Sequence, residues 1–338
     1  DRSVEKSKAT VEPTNNVGKS EEAICPVCLD PISLKTFRTL GCSHQLHEKC
    51  LSELRNAGVQ QTCPMCRAEL PPGAEKLFGE ACMKFVQIKL FVQKEENGPW
   101  GQLSHRQTEQ MKVVEKMWLE AASEGHLYSM LNLAGLYHIG RGLPKDYQKA
   151  MSWFKKASDQ KNAHAQYSLG IIYENGHGVK VDYKKAIKWY EMAEAQGHQW
   201  AQYNLAKFYS LGNGVEQDYK KAFELFKKAA GQGNTYAQYS LGIMYVRGHG
   251  VDQNYKKARI CFEIAQKEYV LANVQLGIMY ENGHGVEQDC VKALEYYLYA
   301  ANKGEPAGQY SLGSLYAKSH DGYKKTAYWL EMAAKQGH

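Results

Sequence analysis

The chain of 338 residues has no apolar run long enough to cross a bilayer, and its mean hydropathy is −0.55. A helical membrane span needs about 18–20 such residues, so a channel or membrane-embedded enzyme is not expected. There is no basic block either. The net charge of +6 divides into +1 over residues 1–20, −1 over residues 21–72 and +6 spread over the remainder, which gives no reason to expect nucleic-acid binding. No apolar core lies near Asp1, so no signal peptide is visible, and the default expectation is a cytoplasmic or nuclear protein. Cysteine is scarce outside one stretch. Six of the nine lie between Cys25 and Cys66, and the others are Cys82, Cys261 and Cys290. Clustered cysteines with histidines among them point to metal in a reducing compartment rather than to a disulfide framework.

Organisation follows from composition. Residues 1–20 are polar and read as a disordered tail, and residues 21–72 carry the Cys/His cluster up to the breaker Leu70-Pro71-Pro72-Gly73. Residues 73–108 form a linker with one helix, marked by the apolar rhythm of Leu77, Ala81, Phe85, Ile88, Phe91 and Val92 and a breaker at Asn97-Gly98-Pro99. Residues 109–126 read as a half-repeat helix, because Trp118 and Gly125 match Tyr190 and Gly197 further on.

From residue 127 to 338 the chain repeats itself six times. Leu133, Leu169, Leu205, Leu241, Leu276 and Leu312 recur at intervals of 36, 36, 36, 35 and 36 residues. Each is followed four residues later by a tyrosine, Tyr137 through Tyr316, and then by a small residue at Ala150, Ala186, Ala222, Ala258, Ala293 or Thr326. Within one unit, Ala165, Leu169, Ile172 and Tyr173 share a helix face, Asn175-Gly176-His177-Gly178 ends that helix, and Asp182 is the expected N-cap of the next. Gly197 fits the left-handed position after it. A helix pair of this kind cannot bury its apolar face alone, so neighbours must stack into a solenoid. Lys161 stands where the other units carry glycine, and the turn at Glu268-Tyr269 is one residue short. The recurring Gly-His-Gly segments follow helices rather than strands, so they read as turns, not as phosphate loops. The tyrosine and tryptophan stripe reads as core, and paired lysines such as Lys184-Lys185 as solvated faces. The slots at His138, Glu174, Ser210, Val246 and Glu281 are candidates for a partner groove. These segments, Ala165-Gln166-Tyr167-Ser168-Leu169-Gly170 and Trp189-Tyr190-Glu191-Met192-Ala193 among them, resemble Sel-1-like repeats, relatives of the tetratricopeptide repeat.

The cluster reads Cys25, Cys28, Cys42, His44, His47, Cys50, Cys63, Cys66, with 2, 13, 1, 2, 2, 12 and 2 intervening residues. Thiolates and imidazoles in four close pairs suit two tetrahedral Zn²⁺ sites with no position left for a catalytic water. A fragment this small has little core, and zinc would supply the missing folding energy, about 10–16 kcal/mol per site in small peptides. The ligand order resembles a RING finger with three cysteines, two histidines and three cysteines. The resemblance implies a cross-brace: Cys25, Cys28, His47 and Cys50 on one zinc, Cys42, His44, Cys63 and Cys66 on the other. It also implies a ubiquitin ligase that recruits a ubiquitin-charged conjugating enzyme and forms no covalent intermediate of its own. Val27, Leu54 and Pro64 match the family's contacts to the conjugating enzyme. Arg67 matches its linchpin, the positioning residue of catalysis, whose guanidinium donates to both ubiquitin and enzyme. Cys82, Cys261 and Cys290 then need no catalytic role and read as small buried apolar groups.

The expected fold is thus a small zinc-stabilised RING α+β domain followed by an all-α solenoid of helix-pair repeats. The expected function is ubiquitin transfer, with a protein substrate or adaptor held by the repeats. The alternative is a non-catalytic zinc-folded scaffold that assembles protein complexes.

Overall fold

A computed structural model of the chain describes residues 37–39, 45–47, 73–94, 103–318 and 323–337. Among these residues there are fourteen helices and one two-stranded sheet. They divide into two compact units. One comprises the described parts of 1–94 together with 109–129, the other 103–108 together with the described parts of 130–338.

In the first unit, strands β1 (Phe37–Thr39) and β2 (Gln45–His47) pair antiparallel, with Phe37 opposite His47 and Thr39 opposite Gln45. Helix α1 (Ala74–Lys94) occupies most of the segment read as a linker. Its core face is Leu77, Ala81, Ile88 and Val92, all buried, with a helical spacing. Helix α2 (His105–Ser123) starts four residues before the expected boundary at 109. The reason is a capping box: Ser104 Oγ accepts from the Gln107 N–H at 3.3 Å, and Gln107 Oε1 accepts from the Ser104 N–H at 2.8 Å. Met111, Val114, Trp118, Ala121 and Ala122 of α2 are buried, with the Phe85 and Trp118 rings 5.5 Å apart. Beyond α2, Gly125 takes φ +88°, and the His126 N–H donates to the Ala121 carbonyl, the left-handed helix ending that the sequence suggests. His126 Nε2 lies 3.0 Å from Glu75 Oε2.

The second unit is an all-helical solenoid. Its helices are α3 (Leu127–Ile139, its first turn belonging to the other unit), α4 (Tyr147–Asp159), α5 (Ala163–Asn175), α6 (Tyr183–Glu194), α7 (Gln199–Leu211) and α8 (Tyr219–Gly231). They continue with α9 (Thr235–Arg247), α10 (Tyr255–Ala265), α11 (Leu271–Asn282), α12 (Cys290–Asn302), α13 (Pro306–Ala317) and α14 (Tyr323–Lys335). Five of the second helices, α4, α6, α8, α10 and α12, start at a described side-chain cap. Asp146, Asp182, Asp218, Asn254 and Asp289 each accept, through Oδ1, from the N–H of a lysine three residues on, at 2.9–3.0 Å. The backbone N–H of the same five residues donates to the carbonyl of the repeat tyrosine, Tyr137, Tyr173, Tyr209, Tyr245 or Tyr280, at 2.9 Å. The loop is therefore locked at both ends in five successive units.

Packing within each pair follows size. Gly170, Gly242 and Gly277 on the first helices face Tyr190, Phe262 and Tyr297 on the second, so closely that a methyl group at any of the three would overlap the ring. The caps of the second helices are followed by Ala150, Ala186, Ala222, Ala258 and Ala293, all fully buried. Buried glutamines are satisfied within their own units: Gln166 Oε1 accepts from Gln196 at 2.7 Å and Gln202 Oε1 from Gln232 at 2.7 Å. Lys161 holds φ +60°, a left-handed backbone otherwise taken by glycine among the described residues. At the short turn before α11, Val270 is helical and offers no side-chain cap, whereas Asn162, His198, Asn234 and Glu305 cap the equivalent helices.

Candidate functional site

Seven of the eight expected zinc ligands, Cys25, Cys28, Cys42, His44, Cys50, Cys63 and Cys66, lie outside the described residues. The eighth, His47, is described only as a backbone position in β2. Val27, Leu54, Pro64 and Arg67 also lie outside them. Among the described residues no group of three or more His, Cys, Asp or Glu side chains is arranged to hold a metal, and no helix is long and apolar enough to cross a membrane. The described candidate surface is therefore that of the repeats.

The slots expected to line a groove are partly spoken for. Glu174 accepts from the Tyr190 hydroxyl on the partner helix and lies 3.9 Å from Lys207, while Asn204 donates to the same hydroxyl at 3.2 Å. Glu281 accepts from Tyr297 at 2.7 Å and from Lys318 at 2.6 Å, and these two partners hold its carboxyl below the usual range against the opposing effect of burial. Both glutamates tie one helix to the next, so they act first as structural acceptors. His138 Nε2 lies 2.9 Å from His177 Nδ1, and the His177 ring stacks on Tyr147 with centroids 5.0 Å apart. Burial, then His177 and Lys145, push the His138 imidazole down, favouring the neutral ring that such a contact needs.

The lysines are exposed, as expected of solvated faces, and they also meet the repeat tyrosines. Lys149, Lys185, Lys221, Lys257, Lys292 and Lys325 each sit over the repeat tyrosine of their own unit, 4.0–5.6 Å from the ring centroid. The aromatic stripe also needs correction. Tyr137, Tyr190, Tyr209 and Tyr297 are core, but Trp200 and Tyr236 are 37% and 41% exposed. Cys261 is buried, and burial raises its thiol to about 11, whereas Cys290 is exposed and Cys82 only half-buried. Cys290 is the first residue of α12, where the capped end faces solvent.

Trp200 and Tyr236 occupy equivalent positions, five residues before Leu205 and Leu241, and their rings lie 5.6 Å apart. Tyr203, Tyr239 and Tyr269 join them through centroid distances of 4.8–6.1 Å. The hint in the sequence is that the residue five before the repeat leucine varies, His164, Trp200, Tyr236, Leu271 and Ala307, as a position outside the core does.

Comparisons with known proteins agree with both parts of the chain. The model of the Sel1 repeat matches residues 127–162, 163–198, 201–234, 235–265, 270–305 and 306–338, and that of the Ring finger domain matches residues 23–67. Among solved structures, the chain is similar to c5321, a protective antigen present in uropathogenic Escherichia coli strains that displays an SLR fold. The two share 28% identity with a TM-score of 0.63, over 86% of this chain and 62% of the antigen. The chain thus spans less than two thirds of that protein. A Sel1 repeat protein from Oxalobacter formigenes is 30% identical with a TM-score of 0.58, over 68% of this chain and 99% of its own length.

Proposed function

The chain belongs to the Sel1 repeat family and carries a RING-type zinc finger, and from that premise we propose that it is a RING-type ubiquitin-protein ligase. The finger recruits a ubiquitin-charged conjugating enzyme, and the repeats hold a protein substrate or adaptor. The observation that supports this most directly is the coupling of a RING match at 23–67 to six Sel1 repeats on one chain.

The donor set fits zinc: six thiols and two imidazoles in four close pairs, with no carboxylate or open position called for. Cys25, Cys28, His47 and Cys50 would hold one ion and Cys42, His44, Cys63 and Cys66 the other. Bound zinc supplies cross-links that fold a short segment, not a reactive centre. The chain's own residues carry the rest. Val27, Leu54 and Pro64 offer apolar contact to the conjugating enzyme. Arg67 donates its fixed fork of N–H groups to ubiquitin and enzyme together, restraining the thioester in a reactive arrangement. A substrate lysine then attacks the thioester carbonyl, an isopeptide bond forms, and the conjugating enzyme's cysteine departs as thiolate. Holding the substrate on the same chain raises the effective concentration of that lysine.

Autoubiquitination with a panel of conjugating enzymes tests the proposal. Wild-type protein should transfer ubiquitin with at least one of them. Arg67→Ala should slow transfer roughly 10²-fold, the scale of a misplaced reacting group, with zinc content and melting temperature unchanged. Silence of folded, zinc-loaded protein across the panel would instead establish a non-catalytic scaffold.

A further inference from the structure

Resting on the partner-binding role proposed above, we propose that Trp200 and Tyr236, with Tyr203, Tyr239 and Tyr269 beside them and Glu305, the N-cap residue of α13, as the anion, form a docking face for a peptide segment bearing arginine.

The five rings make one continuous patch. Trp200 lies 6.0 Å from Tyr203 and 5.6 Å from Tyr236, Tyr236 lies 4.8 Å from Tyr269, and Tyr269 lies 4.9 Å from Tyr239. Tyr203 and Tyr239 are anchored from behind by Phe226 and Phe262, so their orientation is set by the core. Trp200 and Tyr236 have no such duty, and they project from the first turns of α7 and α9. Large exposed aromatics on rigid helices are the side chains from which protein interfaces draw most of their affinity.

Charge selects the occupant. The faces of these rings are electron-rich and favour a cation above them. Lys207 already shows the mode, its ammonium 5.8 Å over Tyr203. Burial raises the phenols of Tyr203, to about 12, and of Tyr239 and Tyr269, and Glu305 pushes the last two further up, so the hydroxyls stay protonated and the faces uncharged. Glu305 makes no ion pair among the described residues. Its carboxylate accepts only a long contact, 3.4 Å, from the Ala307 N–H at the head of α13. Glu174, which also acts on Tyr203, is instead shared with Tyr190 and Lys207, and Arg247 acts on Tyr239. The site therefore offers flat electron-rich faces and one under-used carboxylate. A guanidinium suits both, stacking on the rings while its fork of donors meets the carboxylate. An ammonium, compact and strongly hydrated, suits the faces less.

The test is fluorescence anisotropy of the full chain with short labelled peptides in which arginine, lysine, glutamate or proline alternates with Gly-Ser spacers. The arginine peptide should bind, and the lysine peptide should bind about tenfold more weakly, a difference of about 1.4 kcal/mol. Trp200→Ala and Tyr236→Ala should each weaken the arginine peptide about tenfold, and Glu305→Gln about threefold, with Tyr183→Ala, an exposed tyrosine elsewhere, unchanged. Equal binding of all peptides, preference for the proline peptide, no binding of the arginine peptide, or indifference to Trp200→Ala and Tyr236→Ala would overturn the assignment. Autoubiquitination on the same preparations separates the two readings. Transfer without arginine-peptide binding removes the docking face and leaves the ligase, and binding without transfer does the reverse.

Discussion

Residues 21–72 crowd six of the nine cysteines into a short segment, whereas residues 127–338 hold two cysteines and a leucine, tyrosine and alanine framework repeated six times. The two regions meet the same difficulty, a unit too small to bury its own core, by different means. The finger, on the reading proposed here, is cross-linked by metal, so its stability sits in eight side chains and is lost all at once. A repeat borrows its neighbour, so its stability is distributed over caps, close contacts and stacked faces. A single substitution should be severe in the first region and graded in the second.

The largest expected effect comes from Cys28→Ser. Removing one thiolate should abolish stoichiometric zinc, unfold residues 21–72 and end ubiquitin transfer, because the folding energy of such a site is about 10 kcal/mol or more. The helical circular dichroism of the repeats should persist. Its collapse together with the finger would show that the two regions are not independent, and the comparison would fail.

A smaller effect is expected inside the solenoid. Gly242→Ala places a methyl group against the Phe262 ring and should destabilise by about 1–3 kcal/mol, read as a lower denaturation midpoint with transfer intact. The third unit already carries Ala206 at this position, fully buried, so its joint has accommodated the group that its neighbours exclude.

The smallest concerns acid. Burial, and then the neighbouring His164, lower the His198 imidazole to about 4 from an ordinary 6.5. The unfolded chain therefore binds more protons between those values, and stability falls as pH drops from about 6.5 toward about 4. His198 also caps α7, accepting from the Ala201 N–H at 3.3 Å. His198→Asn keeps a capping side chain, as Asn162 and Asn234 do, and removes the titration. It should flatten the thermal profile across that window by on the order of 1 kcal/mol. An unchanged acid limb would move the sensitivity to His138 and His164, whose imidazoles burial also lowers.

Most of the solenoid was legible because period and capping are local. Leu169, Asp182 and Gly197 announce a helix face, a start and an end within one unit, and each occupies that role. The zinc donors are proposed from their spacing, and the Ring finger match at 23–67 spans the segment that contains all eight. What the sequence hid is tertiary. His138 and His177 are 39 residues apart and meet only when two units stack. Trp200 and Tyr190 are both aromatic residues at helical spacing, yet one is exposed and the other buried, because Tyr190 closes on Gly170 of the facing helix whereas Trp200 stands in the first turn of α7. The lysines over the repeat tyrosines were visible as a recurrence but not as contacts, since the ring and the ammonium belong to different helices.

The joint before α11 has a mechanical consequence. The chain there is one residue short, Val270 leaves the helix start without a side-chain acceptor, and no left-handed glycine closes α10. A linear array under load tears at its weakest coupling. Stretched between its ends, this one would part near residues 266–270, delivering two shorter stacks of four units and two rather than unravelling from a terminus.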